Sequence, residues 1–492
     1  MRSYYLQKAE ENLPLINKTV IVPPTEKTVM NTGDTLVLDL GNHYVGYLSF
    51  TVGYAHWYND APARLQLYFC ETARELEDDY NDYHGSLCRS WLQDETINVD
   101  FPGLFQLPRR YAARYVLIKV LCVSQPITLS EFKFEAVSSA DMSTLMPADI
   151  QDPELAAIDR VAVNTLKNCM QRVFEDGPKR DRRLWIGDLR LEALANYYTF
   201  GNLALTRRCL YLFGAADRNQ YGVMPGYVYE NPIFVSGYWT ILDYGFMFIN
   251  TLCDLYAHTG DTETFRDLYP VAKNILDSAE ANRDEQGLVT TACGDAFIDW
   301  CPGLYKIAAL EGIYLYTLEQ WCKTLEALGD ADEAGLYRKR LEAGRAAARL
   351  HLYNEDKKAF INERDHHQYS VHAAAWMVLG GVAEGEEAKQ VMLNVIHAPD
   401  SVKPFTPYMH HYAVEALICV GAMEEAEQYI RRIWGGMVKD GADTFFEAYV
   451  PGDPEFSPYG DRKMNSMCHA WSCTATYFIR KYKLGQETGS RP

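Results

Sequence analysis

The chain has 492 residues, 48% hydrophobic and 23% charged, which suits two or three domains around a large core and argues against disorder. Its 66 acidic against 47 basic residues, a formal net charge of −19, argue against broad nucleic-acid or anionic-membrane binding. No apolar run approaches the ~20 residues that span a bilayer, and the opening MRSYYLQKAEENLP lacks the regions of a secretory leader.

The first ~140 residues carry strand patterns. TLVLDLGNHYVGYLSFTV (35–52) reads as strand, Gly-Asn turn, strand, and ARLQLYFCE (63–71) alternates Leu65, Leu67 and Phe69 on one face. YAARYVLIKVLCV (111–123) and ITLSEFKFEAV (127–137) continue the pattern. Residues 1–145 are therefore expected to form an antiparallel β-sandwich. Between its strands lies YNDYHGSLCRSW (80–91), a loop of polar and aromatic groups.

From residue 152 the period changes. Asp152 is placed as a helix N-cap, Pro153 sits at the first helical position, and Leu155, Ile158, Ala162, Leu166 and Cys169 follow at helical spacing. Further helical stretches run through 188–200, 204–216, 239–258, 263–282, 304–328, 332–350, 370–382, 385–396, 407–421, 423–434 and 466–482. HTGD (258–261) and ALGD (327–330) each end one helix on Gly and open the next with Asp. About twelve helices in pairs imply an (α/α)6 barrel over residues 146–492. The long loops 218–238, 285–303 and 435–465 would then gather at one mouth.

One stretch stands out chemically. EDGPKRDRRLWIGD (175–188) concentrates Lys179, Arg180, Arg182 and Arg183 around Asp181 in an otherwise acidic chain. Asp176-Gly177-Pro178-Lys179-Arg180-Asp181, followed by Trp185, Gly187 and Asp188, resembles the signature of glycoside hydrolase family 78, the α-L-rhamnosidases. A second stretch, Gly441-Ala442-Asp443-Thr444-Phe445-Phe446-Glu447, is similar to the family segment that ends on its general base. The resemblance spans roughly residues 30–485 and has both motifs in order.

It implies an inverting glycosidase, in which one carboxylic acid protonates the leaving oxygen and one carboxylate activates water from the opposite face. By motif position Asp181 falls at the acid and Glu447 at the base. Asp176, Arg180, Trp185, Asp188, Asp299, Trp300 and His469 fall at sugar-binding positions. The substrate implied is a glycan or glycoside with terminal α-L-rhamnose or a similar 6-deoxy sugar. No cofactor, metal, nucleic acid or membrane is implied, and self-association into a homo-oligomer stays open. Where the family has Glu, this chain has the shorter Asp181, with arginines on both sides, and Phe446 replaces a Trp.

Those cations also suit a second reading. The chain is similar to the rhamnosyl-glucuronate lyases of polysaccharide lyase family 27, which act by β-elimination. Arg180 and Arg182 would neutralise the uronate and His84 would remove the proton, with Tyr83 or Tyr238 assisting. A third reading is a carbohydrate-binding protein without catalysis, which the survival of both carboxylates opposes. The twelve cysteines lack paired spacing and Cys468-His469 stands alone, so free thiols and a cytoplasmic location are expected.

Overall fold

The computed structural model describes residues 1–58, 60–230 and 233–485. A first helix, α1 (Arg2–Glu11), precedes eight strands: β1 (Asn17–Ile21), β2 (Thr28–Met30), β3 (Thr35–Tyr54), β4 (Ala63–Cys70), β5 (Asp94–Val99), β6 (Gly103–Gln106), β7 (Tyr111–Cys122) and β8 (Ile127–Ser138). They form one antiparallel sheet in the order β1-β8-β3-β7-β4-β5, with β2 added on β8 and β6 on β3. The turn expected at Gly41-Asn42 does not separate two strands. Strand β3 runs on through it, with Gly41 at a φ of 81° and a register shift against β7 between Asp39 and Tyr44. Such a shift bends a strand, so one long strand serves both halves of the sheet. Its first half pairs with β7 and its second with β8 and β6. Leu38, Leu48 and Phe50 of β3 share one core with Leu65, Leu67, Ile118 and Phe134.

Helix α1 packs on the helical part, against α4 (Leu203–Gly214), and buries Tyr5 in that part's core. The helical part continues from α2 (Pro153–Cys169) through α3 (Ile186–Tyr197), α5 (Leu242–Thr259), α6 (Thr262–Ala281), α7 (Ile307–Ala327), α8 (Ala331–Leu352) and α9 (Val371–Leu379). It ends with α10 (Gly385–His397), α11 (Pro407–Cys419), α12 (Met423–Lys439) and α13 (Ala475–Lys481). The capping chemistry is as the residues dictate. Asp152 accepts from Leu155 N at 2.9 Å, and α5 ends on Gly260 at a φ of 69° before Asp261 caps α6.

Two kinds of helix result. Helix α6 buries Phe265, Leu268, Ala272, Ile275 and Ala279 along one stripe, the pattern of a helix with one wet face. Helix α3 is buried along its whole length, so neighbours must surround it. Those neighbours run α3 to α5, α5 to α7, α7 to α9 and α9 to α11. Helices α11 and α3 both meet the short turn Ala470–Ser472, which closes the succession. Helices α4, α6, α8, α10 and α12 pack behind these inner ones.

The expected helix 466–482 is split. Residues 465–474 form a loop and a short turn, and only α13 is regular. Their backbone N–H groups go elsewhere: Ser466 to Glu447 Oε2, His469 to Phe445 O and Ala470 to Asp176 O. Donors used this way cannot bond carbonyls four residues back, so no helix forms.

All twelve cysteines are free thiols, nine of them buried. Among the described residues no helix is long and apolar enough to cross a membrane.

Candidate active site

The charged stretch folds as a tight loop between α2 and α3. Asp176 N donates to Arg183 O at 3.0 Å, Asp176 Oδ1 accepts from Arg183 N at 3.0 Å, and Ala470 N donates to Asp176 O at 2.7 Å. At its tip Asp181 and Arg182 take left-handed backbone angles, φ 61° and 54°. Two adjacent non-glycine residues in that region are strained, a condition found where a site dictates side-chain direction. The loop then enters β9 (Leu184–Trp185), which pairs with β10 (Tyr227–Tyr229), itself paired with β11 (Val235–Ser236). This small sheet sets Trp185 at the edge of a pocket. The glycines fit the same packing. A Cβ on Gly187 would lie 2.5 Å from the Tyr244 ring, and one on Gly177 would lie 2.8 Å from Ser466 Oγ.

Asp176, Arg180, Asp181, Trp185, Asp188, Trp300, Glu447 and His469 line one pocket of about 340 Å³, together with five aromatic residues. Glu447 is buried and held by three donors: Arg180 Nη2 at 2.5 Å, Ser466 N at 3.1 Å and the Tyr459 hydroxyl. Burial opposes its charge, but Arg180 beside it prevails and brings its pKa down to about 2. Arg180 also lies over the Tyr459 ring, 4.5 Å from its centre.

Asp181 is held more loosely. Arg180 Nη1 and Arg183 Nη1 lie 3.8 and 3.7 Å from its two oxygens, outside hydrogen-bond reach. Arg183 is instead occupied with the rings of Tyr229 and Tyr227, 4.7 and 4.8 Å from their centres. Since one planar guanidinium touches both carboxyls, Asp181 and Glu447 lie less than about 9 Å apart. Deeper, burial raises Asp176 well above the usual carboxylate range, helped by Asp181 and Asp188. Burial also raises Asp188, against the pull of His469.

Several polar atoms here lack partners: Trp185 Nε1, Asp188 Oδ1 and both ring nitrogens of His469. His469 Nε2 is 3.1 Å from Asp188 Oδ1, yet not aligned to bond it. Buried polar atoms are nearly always satisfied. The residues that carry them, Trp185, Asp188 and His469, all line the one pocket. Among the described residues no group of three or more His, Cys, Asp or Glu is placed to hold a metal.

Other expected site residues lie elsewhere. Asp299 is a buried bracket behind the wall, bonded to His372 Nε2 at 2.8 Å, Thr406 Oγ1 at 2.6 Å and Phe405 N at 2.9 Å. Its neighbour Trp300 reaches the pocket. His84 is exposed and bonded to Asp82 at 2.8 Å, Tyr83 donates to Leu87 O, and Tyr238 is 93% exposed. Arg182 turns its Nε to Pro178 O and stays outside the pocket. Of the residues of the elimination reading only Arg180 lines the pocket; the 80–91 loop packs beside it, with Ser86 N on Tyr459 O and His84 N on Asp461, and leaves the His84 ring in solvent.

Five lining residues were not anticipated: Trp239, Tyr244, Phe297, Tyr459 and Trp471. Trp239 and Tyr244 fall within the helical stretch expected at 239–258, where nothing set them apart. Tyr459 lies in the long loop 435–465, and Trp471 follows His469 by two, so position offered a partial signal there. Phe297 and Trp471 stack at 6.0 Å and Phe297 meets Trp300 edge-on at 5.1 Å, which makes the wall continuous.

Comparison with known proteins identifies the family. The N-terminal domain model of glycosyl hydrolase family 78 α-rhamnosidases matches residues 16–139. The bacterial α-L-rhamnosidase six-hairpin glycosidase domain model matches residues 149–482. A rhamnosidase from Klebsiella oxytoca, solved with rhamnose bound, is 37% identical, with 98% of this chain and 99% of that one covered and a TM-score of 0.93. A family 78 rhamnosidase of Bacillus sp. GL1 is 25% identical over 93% of this chain and 48% of its own, with a TM-score of 0.77. The Streptomyces avermitilis α-L-rhamnosidase shares the fold at 18% identity and a TM-score of 0.71, over 95% of this chain and 44% of its own. Among curated proteins there is no match. With a family model covering most of its length and two carboxylates set in a ring of aromatics, the chain belongs to glycoside hydrolase family 78, the α-L-rhamnosidases, and is a glycosidase.

Proposed function

We propose that the protein releases terminal α-L-rhamnose, or a closely similar 6-deoxy sugar, by inversion at the anomeric carbon. The observation that carries this is the pair Asp181 and Glu447 bridged by Arg180 inside one aromatic pocket. Asp181 gives its proton to the glycosidic oxygen as the C–O bond breaks. Glu447 takes a proton from a water whose oxygen bonds the anomeric carbon from the other face. A base must be ionised, and Glu447 is held so by Arg180 and Tyr459. The bound of about 9 Å on their separation is compatible with the roughly 6.5–9.5 Å at which an inverting pair leaves room for that water.

The remaining residues divide the sugar between them. Asp188 and His469, paired at 3.1 Å, face its hydroxyls, and Asp176, whose pKa burial pushes well above the usual carboxylate range, donates to one when protonated. Trp185, Phe297 and Trp471 present flat apolar faces to the ring and its methyl group. The rhamnose in the Klebsiella oxytoca structure supports this identity for the sugar. An (α/α)6 barrel, six inner and six outer helices, is the arrangement these neighbours support.

The test is hydrolysis of an aryl α-L-rhamnoside followed by proton NMR within the first minutes. The β anomer appearing first is expected. First appearance of the α anomer overturns inversion, and an unsaturated product absorbing in the short ultraviolet overturns hydrolysis.

A further inference from the structure

Beside the sugar pocket runs a wider groove, where the sheet domain meets the helical part. Asp181 is the one described residue that lines both. On the reading above, Asp181 must face the oxygen between the sugar and whatever leaves, so the groove starts where the leaving group starts. Four cations line it in a chain of net charge −19: Lys18 and Arg110 from the sheet domain, Arg172 and Arg182 from the helical part.

Three of the four have carboxylate partners. Lys18 bonds Glu135 at 2.7 Å, Arg110 grips Glu175 at 2.6 and 2.8 Å, and Arg172 lies 3.1 Å from Glu230. Arg182 does not. Among the described residues its side chain makes one hydrogen bond, from Nε to Pro178 O at 2.8 Å, and pairs with no acid. The two terminal nitrogens, which form the flat fork that fits a carboxylate, are left unused. Burial, and then Arg110, bear on this charge and bring the pKa of Arg182 down to about 10, so it remains cationic at neutral pH. A guanidinium crowded by Arg110, and sharing with it the one neighbouring acid, Glu175, is a site that a further anion relieves.

We propose that this groove is the leaving-group subsite and that Arg182 selects a leaving group bearing a carboxylate, a uronic acid residue being the simplest carrier in a glycan. The backbone supports the division. With Asp181 and Arg182 both left-handed, one side chain reaches the sugar pocket and the next lies only in the groove. The inference rests on the hydrolase reading and adds the chemistry of the second sugar to it. The uronate here is bound and released intact, without elimination.

The experiment measures kcat/KM of the wild type on three substrates: 4-nitrophenyl α-L-rhamnoside, α-L-rhamnosyl-(1→4)-glucuronate and the methyl amide of the same disaccharide. The expected result is a preference for the carboxylate over its amide of at least about tenfold, shrinking as salt rises. Arg182→Gln should bring the ratio near one, and Arg182→Lys should restore part of it, which separates a charge effect from a folding defect. Hydrolysis of the aryl rhamnoside with a wild-type ratio near one overturns the groove assignment alone. A preference that survives in Arg182→Gln overturns the role of Arg182. No hydrolysis of the aryl rhamnoside overturns the reading on which the inference rests.

Discussion

Lys179 and Arg180 are consecutive, nearly equally buried, and each holds glutamates, yet their surroundings differ in kind. Lys179 Nζ bonds Glu75 Oε1 at 2.7 Å and Asn465 O at 3.1 Å, and lies 3.7 Å from Glu71 Oε2. Glu71 also meets His43 at 3.1 Å and Met467 N at 2.6 Å, while Glu75 accepts from Glu71 N and Thr72 N. Every oxygen of both carboxylates is in use, and the result ties the sheet domain to the charged loop 175–188. Around Arg180 the same density of charge borders atoms without partners, Asp188 Oδ1, Trp185 Nε1 and His469. A buried network that is complete gives stability and geometry. One that is incomplete awaits a ligand. Charge and burial alone do not distinguish them; the unmet bonds do, since on the Lys179 side every carboxylate oxygen is used and His43 Nδ1 alone of the atoms named is without a partner.

The sharpest way to break that contrast is to remove the chemistry on the pocket side. Glu447→Gln and Asp181→Asn should each lower kcat on an aryl rhamnoside by about a thousandfold while the circular dichroism spectrum stays native. A tenfold loss or less in either would take that carboxyl out of the reaction. On the complete side, Lys179→Met strands Glu71 and Glu75 in the interior and should cost about 3–5 kcal/mol in urea unfolding. If it cost under about 1 kcal/mol, the network would not be what holds the domains together.

Asp188→Asn tests the incomplete side. It should raise KM about tenfold, roughly 1.4 kcal/mol of charge-assisted bonding, with stability held or increased because a poorly solvated charge is removed. A stability loss without any change in KM would reverse the assignment.

Asp176 gives a pH signature. Burial raises its folded pKa well above 3.8, so its stabilising contribution is present below that value and lost as pH rises through the raised one. Asp176→Asn should therefore melt above the wild type at pH 8, with the gap closing toward pH 4. A gap independent of pH would mean that Asp176 is not held protonated. The smallest effect is expected for His84→Ala, whose exposed ring bonds only Asp82 through its side chain. Activity should change less than about twofold and stability by under ~0.5 kcal/mol. Abolished turnover would revive the elimination reading.

Much of the fold was legible before the structure because its signals are local. Asp152-Pro153 marked the start of α2, and Gly260-Asp261 marked the break between α5 and α6. These depend on capping and backbone freedom, which a few residues carry. The two motifs likewise singled out Asp181, Asp188 and Glu447, because residue type at fixed spacing survives as a pattern. Only tertiary structure decided that β3 continues through Gly41, since pairing on both sides outweighs a local turn signal. It also decided that residues 466–470 surrender a helix to bond Glu447 and Asp176. The same holds for direction: Asp299 turned to His372, His84 to Asp82, Arg182 to the groove, and Tyr459 to Glu447. Which partner a side chain meets depends on how whole segments pack, whether the partner is 2 residues away, as for His84 and Asp82, or 267, as for Arg180 and Glu447, and no local pattern encodes that choice.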